Sequence, residues 1–72
     1  MSAIERMINY HISRLSDKRA SVRLDAINEL VLLDAYSAMT VLREIFENDG
    51  DPEVRKAALK AGRTLFLKQS QK

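Results

Sequence analysis

The chain has 72 residues, no cysteine and one histidine, which excludes disulfide bonds and thiolate metal sites. This length allows a single domain, residues 1–72, and its 46% hydrophobic content is ordinary for a folded protein. The longest apolar run covers only residues 30–33, so we predict no membrane partner. The first residues mix acidic and basic side chains without a signal-like apolar stretch, which favours a cytoplasmic location.

Charge is unevenly distributed along the chain, although the formal net charge is only +2. Residues 1–54 contain six basic and ten acidic side chains, whereas residues 55–72 contain six basic and no acidic ones. The carboxyl-terminal quarter is therefore the part of the sequence best suited to an acidic protein surface or to a nucleic-acid backbone.

The first predicted helix covers residues 2–15. Ser2 is followed three residues later by Glu5, a spacing typical of a capping box. Apolar residues recur at steps of three and four, which is the spacing of one helix face. They are Ile4, Met7, Ile8, His11, Ile12 and Leu15. Because His11 belongs to this apolar set, we predict a packing role for it.

A polar break at residues 16–19 separates this helix from a second one, which runs to about Leu33. Asp17 is placed to cap the second helix, since its carboxylate can accept hydrogen bonds from free backbone amides. The second helix is apolar around most of its circumference, with Val22, Ala26 and Leu30 on its main stripe. Such a helix is normally covered on several sides, so we predict that it forms the centre of the fold.

Two more helices follow. Asp34 is predicted to cap a third helix over about residues 35–47, and the Asn-Asp-Gly-Asp sequence at residues 48–51 ends it. An Asp followed by Pro52 is a strong helix start, so the fourth helix is predicted to run from Pro52 to about Leu67. Residues 69–72 are predicted to fray.

The two halves of the chain repeat one pattern, in which an Asp is followed five residues later by Val-Arg. The residues are Asp17, Val22 and Arg23 in the first copy and Asp49, Val54 and Arg55 in the second. The offset of 32 continues along the helices that follow, while the helices before the loops align with an offset of 31. We therefore predict two helix–turn–helix units, residues 2–33 and 34–68.

From the residues themselves, the Asp of each copy can cap the helix after it. The Arg lies beside a buried Val, so its guanidinium can reach an Asp of its own turn or of a neighbouring one. We therefore interpret Asp17, Val22, Asp49 and Val54 as residues of a structural motif. The small Ala at position 26, and its counterpart at position 58, let the helices approach closely.

This spacing resembles the HEAT repeat, and the short period is most similar to the E-Z type related to phycobilin lyases. The matching residues are Asp17, Val22, Arg23, Ala26 and Leu30, then Asp49, Val54, Arg55 and Ala58. Gly62 departs from the expected Leu. The resemblance implies a short right-handed α–α superhelix, with Asp and Arg forming a ladder between repeats. We expect the first and third helices in one layer and the second and fourth in the other.

No residues suited to catalysis stand out. The chain lacks a cysteine nucleophile, and its paired carboxylates occur at a helix end or on polar faces, where capping or solvated roles are typical. The loop around Gly50 lacks the ligand series and the closing Glu of a calcium site, and no glycine-rich phosphate loop is present. We predict a protein that is not an enzyme and that holds no metal or other cofactor.

A basic stripe marks the fourth helix, because Lys56, Lys60 and Arg63 follow one another at steps of four and three. The resemblance implies that the second helix of each repeat lines the concave, ligand-facing side. The predicted partner-binding residues are therefore Arg19, Arg23, Asn28, Arg55, Lys56, Lys60 and Arg63. The leading hypothesis is a non-catalytic interaction or scaffold module that binds an acidic protein partner.

Two alternative functions stay open. The resemblance to E-Z repeats implies an accessory subunit in phycobilin attachment or phycobilisome turnover. The basic fourth helix supports nucleic-acid binding, although the four aromatic residues do not alternate with the basic ones as single-strand binding favours.

The oligomeric state is a separate question. Repeat stacks usually need about three units for stability, so we also consider a homodimer that covers an exposed end of the stack.

Overall fold

The computed structural model describes residues 1–71, and within them the chain forms four α-helices and one short 3-10 helix. The α-helices are α1 (Ala3–Arg14), α2 (Ala20–Leu32), α3 (Met39–Asn48) and α4 (Pro52–Ser70), and the 3-10 helix covers Tyr36–Ala38. Since no strand occurs among these residues, the predicted all-α class is confirmed.

The helices pack as two hairpins that are joined through their second members. α1 packs on α2, α3 packs on α4, and α2 packs along α4. α1 and α3 have at most marginal contact with each other. The junction between the hairpins is therefore formed mainly by α2 and α4, the two helices that carry the Val-Arg motif.

The core lies around this junction. Its largest fully buried side chains are Ile27, Leu30, Leu42, Leu65 and Val54. Each of them stabilises the fold by about 1.5–3 kcal/mol through burial. Five alanines, at positions 26, 35, 38, 58 and 61, are also buried, and their small side chains allow the helices to lie close together. The prediction that α2 is covered on several sides fails along one side of the helix, where Leu32 is 74% exposed.

The start of α1 follows the sequence prediction. Ser2 Oγ accepts a hydrogen bond from the Glu5 amide at 3.1 Å, and Glu5 Oε1 accepts one from the Ser2 amide at 3.1 Å. The Ser2 backbone amide, and then its side chain, hold the pKa of Glu5 below its usual value. The predicted capping box is therefore confirmed.

The end of α2 differs from the prediction. Asp34 has a left-handed φ of 50°, and its amide donates to the Val31 carbonyl at 3.1 Å. The Ala35 amide donates to the Leu30 carbonyl at 3.0 Å, which completes a Schellman motif. The prediction that Asp34 caps the third helix is wrong, because that segment begins as a 3-10 turn without a side-chain cap. The Asp34 carboxylate instead binds Lys68 Nζ at 2.9 Å.

The caps of α2 and α4 also differ from the prediction. The N-cap of α2 is Arg19, whose side chain makes no capping bond. The N-cap of α4 is Asp51, whose carboxylate accepts two first-turn amides at 2.8 and 3.2 Å, as expected before Pro52. The prediction that Asp17 and Asp49 cap these helices is therefore wrong, because each lies two residues before the N-cap.

α4 is longer than predicted. It ends at Ser70 rather than at about Leu67, and Ser70 Oγ donates to the Phe66 carbonyl at 2.9 Å. No Gly or Pro follows Gly62 in the sequence, so nothing interrupts the helix. Residues 69–70, which were predicted to fray, are thus helical, and Lys72 lies outside the described residues.

Candidate interaction surfaces

The loop before α2 and the loop before α4 are built alike. Asp17 Oδ1 accepts the amide two residues later at 2.8 Å, and Asp49 Oδ1 does the same at 2.9 Å. An arginine six residues after each Asp closes the loop. Arg23 Nη1 donates to the Asp17 carbonyl at 2.7 Å, and Arg55 Nη1 donates to the Asp49 carbonyl at 2.6 Å. The offset of 32 found in the sequence therefore holds for the hydrogen bonds as well.

One ion pair joins the two hairpins. Arg23 on α2 donates through Nε and Nη2 to the two carboxylate oxygens of Asp49, at 2.9 and 3.1 Å. Only 14% and 10% of the two side chains are exposed, so water screens the pair weakly. Burial by itself would raise the pKa of Asp49, but the Asp51 amide and the Arg23 guanidinium outweigh it and lower the pKa. This bidentate pair fixes one hairpin against the other.

Asp17 holds the corresponding place in the first loop but has a different partner. Its carboxylate pairs with Arg19 of the same loop, at 3.1 Å from Nε, and the Arg19 side chain is mostly exposed. Hydrogen bonds from the Arg19 side chain and then from its amide lower the pKa of Asp17. Within residues 1–71, no acidic side chain pairs with Arg55. The motif is thus complete between the hairpins and open at both ends.

A groove with a volume of about 710 Å³ runs between α2 and α4. Its floor is apolar and is formed by Leu24, Val31, Leu32, Ala57 and Ala61. Its edges are polar and carry Asn28, Glu53, Lys56, Lys60 and Thr64. Neither lysine forms an ion pair with another described residue. The groove therefore combines an apolar floor with two lysines that form no ion pair.

The seven residues predicted to bind a partner lie in three different places. Those that line the α2–α4 groove are Asn28, Lys56 and Lys60. Those held by the two loops are Arg19, Arg23 and Arg55. Arg63 lines a separate depression on the other side of α4. The structure therefore brings together three of the seven and leaves the other four in the loops or on another surface.

That separate depression lies on the outer side of the second hairpin, between α3 and α4. Its volume is about 350 Å³, and its lining includes Met39, Phe46, Leu59, Gly62, Arg63 and Phe66. Phe46 is 40% exposed, whereas Leu15, its counterpart at offset 31, is 5% exposed. A Cβ added to Gly62 would meet nothing within 4 Å. We call this surface the tail face, because it is open where the equivalent side of the first hairpin is covered.

The histidine and the paired carboxylates, which are the side chains best suited to catalysis, are engaged in contacts within the fold. His11 is buried in α1, and its Nδ1 lies 3.0 Å from Arg14 Nη1. The described part of the chain contains no group of three His, Asp or Glu side chains that could hold a metal ion. In the same residues, no helix has both the length and the apolar character needed to cross a membrane. The carboxylates of Asp49 and Asp51 serve in loop closure and helix capping.

Sequence reasoning missed the apolar half of the groove. Leu24, Val31 and Leu32 belong to the broad apolar surface of α2, and we expected that surface to be covered. Instead they line the groove. A sequence signal did exist, because a helix that is apolar all round needs several neighbours and residues 1–71 offer only three other α-helices. The exposed rings of Phe46 and Phe66 were missed for the same reason.

Comparison with protein-family models, curated proteins and solved structures gives no match for this chain. Neither family membership nor an activity therefore comes to it from another protein. What supports a repeated unit is internal to the molecule, namely the two loops whose Asp and Arg residues make the same hydrogen bonds at one offset.

Proposed function

We propose that this chain is a non-catalytic protein-interaction module, built from two HEAT-like units, that binds an acidic amphipathic helix of a protein partner. The observation that carries the proposal is the α2–α4 groove, with its apolar floor and its two unpaired lysines. An amphipathic helix binds a groove of this kind by laying its apolar face on the floor. Acidic residues along one edge of that helix would then meet Lys56 and Lys60.

The exposure of Leu32 supports this proposal. Leu32 lies in the groove with 74% of its surface exposed, although three other residues of α2 are buried in the core. Burying one such side chain against a partner is worth about 1.5–3 kcal/mol. The lysines would add on-rate and selectivity for an acidic partner more than affinity.

A displayed library of helical peptides tests the proposal. We expect selection to enrich peptides with apolar residues at helical spacing and with Asp or Glu beside them. Binding should weaken in the double variant Lys56→Glu/Lys60→Glu and in Leu32→Ser. The double variant Arg6→Glu/Lys18→Glu makes the same change of net charge away from the groove, and it should bind normally. Equal binding by both double variants would rule out the groove as the site.

Nucleic-acid binding is the second candidate, and three exposed basic residues of α4 favour it: Lys56 and Lys60 in the groove and Arg63 on the other side of the helix. A titration of duplex DNA at several salt concentrations separates it from the first. If these three side chains neutralise phosphates, the logarithm of the affinity should fall against the logarithm of salt with a slope near −3. Glu53 in the same groove and the absence of aromatic residues from its lining favour the peptide instead.

The accessory role in phycobilin attachment or phycobilisome turnover is the third candidate, and it depends on the E-Z resemblance alone. Its test is spectroscopic. The chain is mixed with free bilin, and a shifted visible absorption band that co-purifies with the chain would support this role. A spectrum equal to that of free bilin would remove it.

A further inference from the structure

We propose a second interaction surface: the two open ends of the molecule bind each other, so that copies of this chain associate head to tail. The junction between the two hairpins provides the template. Suppose that the second hairpin of one copy packs on the first hairpin of the next copy as the two hairpins pack inside one molecule. Each pair of residues in contact at the internal junction is then replaced, between copies, by the pair at the equivalent positions, 31 or 32 residues away in the sequence. Each contact inside the molecule can therefore be compared with the pair of residues that would take its place between copies.

The amino-terminal end exposes the side of the first hairpin that is covered in the second. Ala35 and Ala38 of the second hairpin are fully buried in the core. At offset 31 their counterparts are Ile4 and Met7, which are 58% and 47% exposed. Together with the exposed ring of Tyr10, these residues form a surface on α1 that we call the head face. About half of the surface of these side chains is left uncovered by the rest of the described chain.

The tail face exposes the side of the second hairpin that is covered in the first. Ile27 and Leu30 of α2 are buried at the internal junction. Their counterparts at offset 32 are Leu59 and Gly62, and both line the tail face. Ile27 and Leu30 share one buried core with the alanines at positions 35 and 38, whereas at the ends Gly62 replaces the large Leu30, and Ile4 and Met7 replace the two alanines. The open space beside Gly62 suits a larger residue of the head face, such as Met7.

The two residues equivalent to the ion pair of the internal junction lie at opposite ends of the molecule. Arg55 corresponds to Arg23, and Asp17 corresponds to Asp49. In a head-to-tail contact, Arg55 of one copy reaches Asp17 of the next copy, with the arrangement seen between Arg23 and Asp49. Arg19 now holds Asp17, but that pair is exposed and contributes little, so it can be displaced.

A second pair of opposite charges supports the same head-to-tail contact. Arg63 on the tail face is exposed, and its counterpart Val31 faces α4 inside the molecule. Glu29 is the counterpart of Ala61, which lines the α2–α4 groove together with Val31. In the proposed contact Arg63 therefore lies opposite Glu29 of the next copy, and the two charges attract. The two end surfaces are complementary in size and in charge.

A contact of this kind is heterologous, since two different surfaces meet. It produces rings or open chains of copies rather than a symmetric dimer. The α2–α4 groove lies within one copy and stays accessible in such an assembly. The inference therefore does not depend on the partner proposed for the groove, and its test contains no partner.

Sedimentation velocity of the purified chain, up to about 1 mM, tests the inference. The average mass should rise with concentration. Met7→Glu removes the head face and Phe46→Glu removes the tail face, so each variant alone should be monomeric. An equal mixture of the two should form a dimer and nothing larger, because each variant keeps the face that the other has lost. A wild-type chain that stays monomeric, or a single variant that still dimerises, overturns the inference.

Charge reversal provides a second test that does not disturb apolar packing. Arg63→Glu should weaken association about tenfold, because it places like charges opposite each other. Adding Glu29→Arg to the same chain should restore it, since every contact would again contain opposite charges. Failure of this restoration, with helical circular dichroism unchanged, contradicts the proposed register even if Met7→Glu or Phe46→Glu unfolds.

Discussion

The two loops share a backbone but differ in what their carboxylates bind. In both, the Asp accepts the amide two residues later, and the arginine after it donates to the Asp carbonyl. Asp49 is nearly buried and binds Arg23 of the other hairpin, whereas Asp17 is half-buried and binds the exposed Arg19 of its own loop. The same sequence motif thus closes a loop in both places and joins two hairpins in only one.

The motif makes two contributions to stability, and the difference between the loops separates them. Loop closure depends on residues close in sequence, so it forms wherever the motif occurs. The ion pair depends on a second hairpin stacked at the right distance. Asp17 and Arg55 show the motif where no second hairpin is stacked beside it. Variants at the two loops can therefore measure the local and the stacking contributions separately.

The largest effect is expected at the buried pair. Asp49→Ala leaves the Arg23 guanidinium largely buried without its carboxylate and removes the bond to the Asp51 amide. We expect the free energy of unfolding to fall by roughly 2–4 kcal/mol. Urea unfolding followed by helical circular dichroism measures it. Asp17→Ala is the matched control, and its loss should be clearly smaller because its ion pair is exposed. Equal losses would show that Asp49 acts only in its own loop.

The all-α class, four helices and the places of the two loops could be predicted from the sequence. Apolar periodicity and polar breaks are local signals, and so is the Ser2–Glu5 capping box. The end of α2 could not be predicted in the same way, because a left-handed Asp34 stands where Gly is the usual residue. The helix caps were assigned to the wrong Asp residues for a related reason. An Asp two residues before an N-cap and an Asp at the N-cap look alike in sequence.

The candidate site was predictable only in part. Asn28, Lys56 and Lys60 were placed together through the assumed repeat geometry. The remaining predicted residues, such as Arg23, are charged and lie on α2 or α4, which made them look like surface residues. The guanidinium group of Arg23 is instead held by a distant carboxylate, since Asp49 lies 26 residues from Arg23. Contacts of that separation depend on how the hairpins stack, and a single helix pattern does not contain that information.

The second prediction concerns pH. The pKa of Asp49 lies below its usual value of 3.8, so the unfolded chain binds this proton more readily than the folded one. The stability that results is complete above about pH 4 and is lost as the pH falls through the lower, folded-state pKa. The pKa values of Asp17 and Glu5 are lowered as well, so both residues also make the fold less stable in acid. The urea midpoint should therefore fall in this acid range.

Asp49→Asn provides the control for the pH dependence. It removes one of the three shifted carboxyls, so the midpoint should fall less steeply with acid than in the wild type. The comparison needs only the slopes, which makes it independent of how much stability the variant has lost at neutral pH. A slope equal to that of the wild type would contradict the assignment to Asp49.

The third prediction uses the two N-caps, which occupy equivalent positions. Asp51→Ala removes a carboxylate that accepts two amides of α4, and it should cost about 1 kcal/mol. Arg19 is the counterpart in α2 and makes no capping bond. Arg19→Ser introduces a capping hydroxyl, so it should raise the melting temperature. Opposite signs for the two variants would establish the asymmetry, and a lower melting temperature for Arg19→Ser would contradict it.

The smallest effect is expected where the second unit departs from the first. Gly62 lies inside α4, where Gly is less favourable than Ala by about 1 kcal/mol, and an added Cβ meets open space. Gly62→Ala should therefore stabilise the monomer by up to about 1 kcal/mol. Lys60→Gly, at an exposed position of the same helix, calibrates the scale and should lose a similar amount.

Gly62→Leu extends this comparison, because it restores the residue found at the equivalent Leu30. It should gain helix stability in the same way as Ala, since both residues favour helices. Its larger side chain would also fill the open space of the tail face. We therefore expect it to weaken head-to-tail association while leaving the monomer at least as stable as the wild type. Sedimentation and urea unfolding of the one variant separate these effects. A more stable monomer with unchanged association would mean that the space beside Gly62 receives no second copy.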